Sequence, residues 1–449
     1  MANFNLKKGH NLKISGEPKR VISATILAEN IYLHPKDFPG IKPKLLVKEG
    51  DTVSVGSPIF FDKLNSKVKF VSPVSGIISE IQFGERRVVG RIVIKNDGAS
   101  NILKADLPAS DKLSAEDLKS KLSESGLWPT IRQRPFSKIA NPAETPRDIF
   151  VSVLSTAPFA VDYAFVLDGR GEDFQTGLDA LAKLTTGSLH LNMSDAESAP
   201  IFVGAKNVKI NTFSGPHPAG NVGVQIHHLA PISSKEDTVW YLNAQDVGDI
   251  GEYLRTGNYP TEKIICIGGS SILDPTYLKI IKGTSLKDIL SDKLISKDDV
   301  RIISGDVLSG ETRLLNQGIR FYDETISAIP ESATREFLGW ALPGLSKYSL
   351  SRTFLSALLP KQITEFNTSM NGSHRAIISF GRWESVLPMD VLPEFLVKSI
   401  LARDIEEMEK LGIYECAEED FALCAFVCQS KTDVLGIIRT GLQLAEQEG

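Results

Sequence analysis

The residues best suited to chemistry are three cysteines near the C-terminus. Cys416, Cys424 and Cys428 lie in ECAEEDFALCAFVCQSK, with gaps of seven and three residues. A ferredoxin-type cluster takes four thiolates, commonly from tight C-x-x-C runs plus one more. The only other cysteine is Cys266, 150 positions upstream. The trio therefore has the setting of a redox subunit without a full ligand set. The plainer reading is three thiols on buried helix faces, with Cys424 and Cys428 sharing one side at i and i+4.

A second cluster is FSGPHPAGNVGVQIHH, which holds His217, His227 and His228, three of the chain's seven histidines. Its prolines and glycines make backbone shape matter. The two adjacent histidines, read as part of a strand, point to opposite sides, so at most one joins His217 on a metal. Metal ligation, a partner or ligand contact and a purely conformational loop all remain open. NGSHRAIISFGRW sets His374, Arg375 and Arg382 beside Trp383; a cation next to an aromatic can grip a planar headgroup or be an ordinary surface pair. DGRGEDFQTG carries Gly169, Gly171 and Gly177, but Phe174 stands where G-x-G-x-x-G needs its third glycine. No Walker A, H-E-x-x-H or G-x-S-x-G occurs.

The elements that must position these groups change character along the chain. Residues 1–100 are rich in Val, Ile and Lys with frequent turn signals, and V-x-E-G-D-x-V-x-x-G followed by S-P-V-S-G-x-I has the rhythm of a biotinyl/lipoyl carrier fold. The lysines near its tip, Lys63 and Lys67, fall in a segment that reads as longer than the tight turn presenting a modified lysine. Residues 101–257 open with a helix capped by Ser114 and Asp117 and closed by Gly126. Strands at DIFVSVLST, YAFVLDG, SLHLNM, PIFVGA and VKINTF then interleave with helices over FQTGLDALAKLT and DVGDIGEYLRTG, predicting a Rossmann-like parallel α/β sheet. Residues 258–330 read as strands around one short helix, a β-grasp-like unit. Residues 331–449 are mainly helical: Val397, Ile400, Leu401, Ile405, Met408 and Leu411 keep helical spacing up to Gly412, and further helices are expected around 418–428 and 432–447.

Composition bounds the function. A chain of 449 residues, 42% hydrophobic and 23% charged, is a multidomain globular protein. A net charge of −5 supplies no basic field for nucleic acid. No apolar run approaches the ~20 residues of a bilayer span, and the start MANFNLKKGHNLKI has no signal-peptide core. Four scattered cysteines give no disulfide framework.

Taken together, KKGHNLKISGEP, the carrier-like module, GLWPTIRQRPFSKIANP, SGPHPAGNVGVQIHH and LCAFVC-x-SK resemble the A subunits of Na+-translocating NADH:quinone reductases over essentially the whole length. The middle is also similar to the flavin subunit of complex I and the C subunit of Rnf complexes. The resemblance implies a soluble-ligand-binding (SLBB-like) β-grasp domain over 258–330. In those relatives a glycine-rich loop holds FMN and NADH, and a cysteine-rich helical domain holds a [4Fe–4S] cluster. Here GLWPTIRQRPFSK replaces the loop, with Trp128, Arg132 and Arg134 where a backbone would approach phosphate, and the cysteines are too few. The resemblance therefore implies a peripheral subunit on the cytoplasmic face of a bacterial inner membrane. It would bind no flavin, cluster or metal of its own and have no catalytic residue, and the isolated chain would be inactive. Membrane-embedded and flavin/iron–sulfur partners would carry NADH, FAD, FMN and iron–sulfur chemistry. Ubiquinone is the possible ligand, with His217, His374 and Arg375 as candidate contacts, and the alternatives are a free-standing flavin/iron–sulfur dehydrogenase or a purely structural docking subunit.

Overall fold

The computed structural model describes residues 2–296, 298–332, 337–359 and 363–449. In the N-terminal part, a four-stranded sheet (Asn30–Leu33, Val89–Asn96, Gly76–Phe83, Thr52–Val53) faces a three-stranded one (Pro43–Leu45, Pro58–Asp62, Asn65–Val71). Ile59, Phe60, Val68, Ile78, Ile92 and Ile94 fill the space between them. Gly50 and Gly56 hold φ of +88° and +85°, the left-handed turns that the E-G-D and V-G-S segments require. The hairpin tip differs from expectation. Asp62 pairs with Asn65, so the turn is only Lys63–Leu64, and Asp62 Oδ1 accepts the Leu64 N–H at 3.0 Å. This Asx turn tightens the connection.

The first 25 residues do not all stay with this sandwich. Asn3–Asn5 adds a parallel edge strand to the α/β sheet, and Lys19–Thr25 adds one to the β-grasp sheet. The α/β sheet runs in the order Asn3–Asn5, Lys209–Ser214, Leu189–Ser194, Ile149–Ser152, Val239–Asn243, Arg132–Arg134, Lys138–Ile139. The first five strands are parallel and the last two antiparallel. Its faces alternate as a pleated strand must. Ile149, Val151, Trp240 and Leu242 meet the helices Gly171–Ala182 and Ala244–Thr256; Phe150, Val239 and Tyr241 meet the helix Val222–Leu229 and the C-terminal helices.

Three segments expected as strands are otherwise. YAFV (Tyr163–Val166) and PIFV (Pro200–Val203) are single helical turns. Asp162 caps the first through Phe165 N–H, and proline at the first helical position starts the second. Capping chemistry overrides an apolar run this short. The segment holding His227 and His228 is the helix Val222–Leu229, so these side chains sit about 100° apart rather than on opposite sides.

The β-grasp sheet carries Leu286–Leu290 on one face, over Ile265, Ile267, Leu278, Ile280 and Ile326. Beyond Pro330 the described residues hold the short 3-10 segments Gly339–Ala341 and Leu355–Leu358, then the helices Arg382–Val386, Pro393–Ala402, Ile405–Lys410, Ala422–Val427 and Val434–Glu448. The periodic run 397–411 is two helices. Arg403 turns left-handed at φ +57°, and the Asp404 side chain accepts the Glu407 N–H to start afresh. No helix among the described residues is long and apolar enough to cross a membrane.

Candidate functional site

The sheet order places a crevice. From Ile149–Ser152 the chain builds outward through Leu189–Ser194 and Lys209–Ser214, then returns to the other side of its first strand with Val239–Asn243. Ligands of open α/β sheets bind outside the carboxyl ends at such a reversal. A crevice of about 150 Å³ lies there, lined by Ser152, Thr156, Asn243, Arg132, Asn221 and Glu419 among others. The crevice is smaller than the roughly 300–1,000 Å³ that cofactor sites commonly span.

Arg132 of the R-Q-R strand lines it. Arg132 and Arg134 share one face at i and i+2, and both guanidinium groups stand over the Tyr241 ring, at 4.4 and 5.4 Å. Arg132 is also 4.6 Å from the Tyr322 ring and donates to Asn243 Oδ1 at 3.1 Å. Arg134 is 1% exposed and bonds Asp420 Oδ2 at 3.1 Å and Glu419 Oε1 at 2.9 Å. Burial pushes the Asp420 carboxyl upward while Arg134 draws it back down. Trp128 is fully buried and donates to Ala140 O. Of the three residues read from sequence as bulk against a phosphate, only Arg132 lines the crevice, and Trp128 packs edge-on against Trp240 in the core.

His217 backs the crevice rather than lining it. It is 4% exposed, and its N–H donates to Asn11 Oδ1 at 2.7 Å. The Thr156 hydroxyl accepts from Gly220 N–H at 2.9 Å, leaving its proton for His217 Nδ1 at 3.1 Å. Burial lowers the His217 pKa, which keeps the imidazole neutral. Gly215 at φ +132° and Gly9 at φ +131° bring the loop against the N-terminal strand; a Cβ on Gly9 would lie 2.2 Å from His217 O.

His374 and Arg375 are elsewhere in character. Both are exposed, and Arg375 is held by its backbone N–H on Ser430 O at 3.0 Å. No hydrogen bond, ion pair or ring contact among the described residues joins either to His217. Trp383 is buried at 3% exposure in the helical core.

The neighbouring histidines are structural. His227 accepts Asp390 N–H on Nε2 at 3.0 Å and bonds Glu415 through Nδ1, and His228 Nε2 donates to Pro388 O at 2.9 Å. Both pin their helix to the C-terminal part. The D-G-R-G segment is structural as well: Arg170 bonds Asp249 at 3.0 Å and Glu252 at 2.8 Å. A Cβ on Gly177 would sit 2.0 Å from Val247 O, and one on Gly251 1.8 Å from Asp173 O. These glycines let two helices touch rather than let a phosphate in.

Cys416, Cys424 and Cys428 are all buried, at 0–2% exposure. Their sulfurs do not converge on a vacant centre: Cys416 donates to Gly412 O at 3.3 Å and Cys424 faces Trp383 O at 3.8 Å. Burial pushes both thiols well up, whereas a cluster takes thiolates. No group of three or more metal-ligating side chains is present among the described residues. These residues do not fit an iron–sulfur cluster.

Three family models describing NqrA match the chain: its N-terminal barrel-sandwich hybrid domain over residues 4–97, its second alpha/beta domain over 113–259, and its C-terminal domain over 264–313. The A subunit of the Na(+)-translocating NADH-quinone reductase from Neisseria meningitidis is 38% identical over 449 residues, 99% of this chain and all of that one. Its counterpart from Shewanella frigidimarina is 37% identical over 99% and 100%, and that from Rhodopirellula baltica 38% over 99% and 98%. The chain belongs to this family. Its architecture is accordingly a barrel-sandwich domain, an α/β domain, an SLBB-type β-grasp and C-terminal helices. Among solved structures, an NAD+-reducing [NiFe]-hydrogenase chain overlaps 76% of this chain and 65% of its own at 13% identity, with a TM-score of 0.39, too low to carry an argument.

The sequence singles out Arg132 only as bulk against a phosphate and does not show the aromatic clamp on its guanidinium. The signal was present as the i, i+2 arginines of IRQRP; the Tyr241 and Tyr322 rings that clamp it come from distant segments.

Proposed function

We propose that the chain is a peripheral subunit of a Na(+)-translocating NADH:ubiquinone reductase and works at the quinone-reducing end without carrying flavin or cluster itself. The observation that carries this reading is end-to-end kinship with the NqrA family, combined with a switch-point crevice lined by Arg132, whose guanidinium stands over the Tyr241 ring. Electrons then travel on cofactors of other subunits, membrane-embedded and flavin/iron–sulfur, and this chain sits against them at the cytoplasmic face. The domain limits 1–100, 101–257, 258–330 and 331–449 belong to the same proposal.

A quinone headgroup needs an apolar slot and donors for its carbonyls. His374 and Arg375 offer exposed donors beside Ile378 and Phe380, which are 56% and 60% exposed. His217 acts only if its loop opens. Alanine at His374/Arg375, and separately at His217, in the assembled complex should raise the quinone KM. Unchanged KM and quinone affinity in complexes of normal subunit composition would remove these residues from the site. A docking-only role is favoured by Phe337, Leu358 and Ile363, at 87%, 82% and 70% exposure; it predicts normal quinone kinetics whenever the complex assembles.

A further inference from the structure

We infer that the switch-point crevice is a binding site for a small oxyanion, a phosphate or carboxylate group, gripped by Arg132. This stands whether or not the quinone reading does. The Arg132 guanidinium is fixed before any ligand arrives: two rings clamp its faces at 4.4 and 4.6 Å, and one corner is tied to Asn243. The Tyr322 ring is in turn held by its hydroxyl on Pro129 O at 2.8 Å. Unlike Arg134, Arg132 makes no salt bridge among the described residues, and its Nε is buried without a hydrogen-bond partner. An always-charged planar fork with a free edge is the group that recognises oxyanions in two-pronged fashion.

The surroundings supply further donors. Thr156 and its neighbours Ser155 and Ala157 line the crevice, and their backbone N–H groups donate to no acceptor among the described residues. The eight-residue helix Val222–Leu229 starts at its rim, and the Asn221 side chain turns to Glu419 O at 3.0 Å instead of capping it. Oriented N–H groups and a helix start together favour negative charge. The acid at the rim, Glu419, is paired with Arg134 at 2.9 Å, which relieves its repulsion toward an anion. The crevice, about 150 Å³, is half the lower end of the roughly 300–1,000 Å³ range of small-molecule sites. That suits a phosphate or a short carboxylate rather than a nucleotide.

The test titrates the full chain with inorganic phosphate at constant ionic strength, following the thermal midpoint and the 31P line width. A saturable response is expected, weakened at least about tenfold in Arg132→Gln by loss of a charge-assisted contact. Lys398→Gln, on the exposed surface, should change nothing. No saturable response, or equal affinity in a folded Arg132→Gln variant, overturns the site. If near-UV dichroism shows that this variant does not fold, crystals of the unaltered chain soaked in selenate decide. An anomalous peak against Arg132 supports the site, and a peak elsewhere or none overturns it. Displacement of phosphate by succinate assigns the natural group to carboxylates; displacement by pyrophosphate but not succinate assigns it to phosphates.

Discussion

Glu324→Gln should make this protein more stable above neutral pH, and the size of the effect follows from where Glu324 sits. Only 8% exposed, it faces the α/β domain from the β-grasp sheet. Its carboxyl accepts Tyr163 OH at 2.7 Å and Gln245 Nε2 at 2.9 Å. Burial is the largest influence and raises its pKa from 4.5 to about 7; Lys263 opposes this and Asp246 adds to it. The folded state thus holds a proton that the unfolded chain releases. Stability from that proton is full below 4.5 and disappears as pH rises through about 7. At about 1.4 kcal/mol per pH unit, the difference is roughly 3 kcal/mol as an upper bound. Glutamine mimics the protonated carboxyl, since its oxygen still accepts from Gln245 and its amide can donate to the Tyr163 oxygen. The variant should match wild type near pH 4.5 and exceed it by up to roughly 3 kcal/mol at pH 8. Hydrogen exchange of peptides spanning 244–268 and 322–330 reads this interface directly. Parallel pH dependence in the two proteins would show that Glu324 is ionised throughout, and the reasoning about its burial would be wrong.

Other outcomes follow from the same kind of contact. Arg134→Met leaves Asp420 buried without its cation and should cost about 3–5 kcal/mol in denaturant melts, most of it recovered by adding Asp420→Asn. Gly251→Ala drives a methyl toward Asp173 O, 1.8 Å from its ideal position, and should lower stability by at least about 1–3 kcal/mol, visible as an earlier thermal transition. In the native protein Cys416, Cys424 and Cys428 should react with a thiol reagent far more slowly than all four cysteines do in denaturant; rapid native labelling would contradict their burial.

Much of the architecture was legible because it rests on local signals. The E-G-D and V-G-S turns, the Ser114 cap and the long amphipathic runs 174–185 and 246–257 each declare themselves within a few residues. The misreadings have equally local causes. YAFV and PIFV are apolar enough for strands, but four residues after a capping Asp162 or beginning at Pro200 form a helical turn instead. The run 397–411 keeps one period across two helices because Arg403 and Asp404 break the backbone without breaking the pattern. The two-residue tip at Lys63–Leu64 was hidden because the Asp62 side chain, not a glycine, tightens it.

The site was less legible because its parts meet only through long-range contacts. Arg132, Tyr241, Tyr322 and Asn221 come from four segments, and nothing in any one of them names the others. Arg134 and Asp420 are 286 positions apart, yet together they fasten the α/β sheet to the C-terminal helices through the same ring that holds Arg132. Of the two arginines on this strand face, Arg134 is neutralised by Asp420 and Glu419, and Arg132 makes no salt bridge among the described residues. The neutralised arginine ties the sheet to the C-terminal part through Asp420 and Glu419. The unpaired one is what remains for a ligand, which is why substitution at Arg132 should alter anion binding and substitution at Arg134 should alter stability.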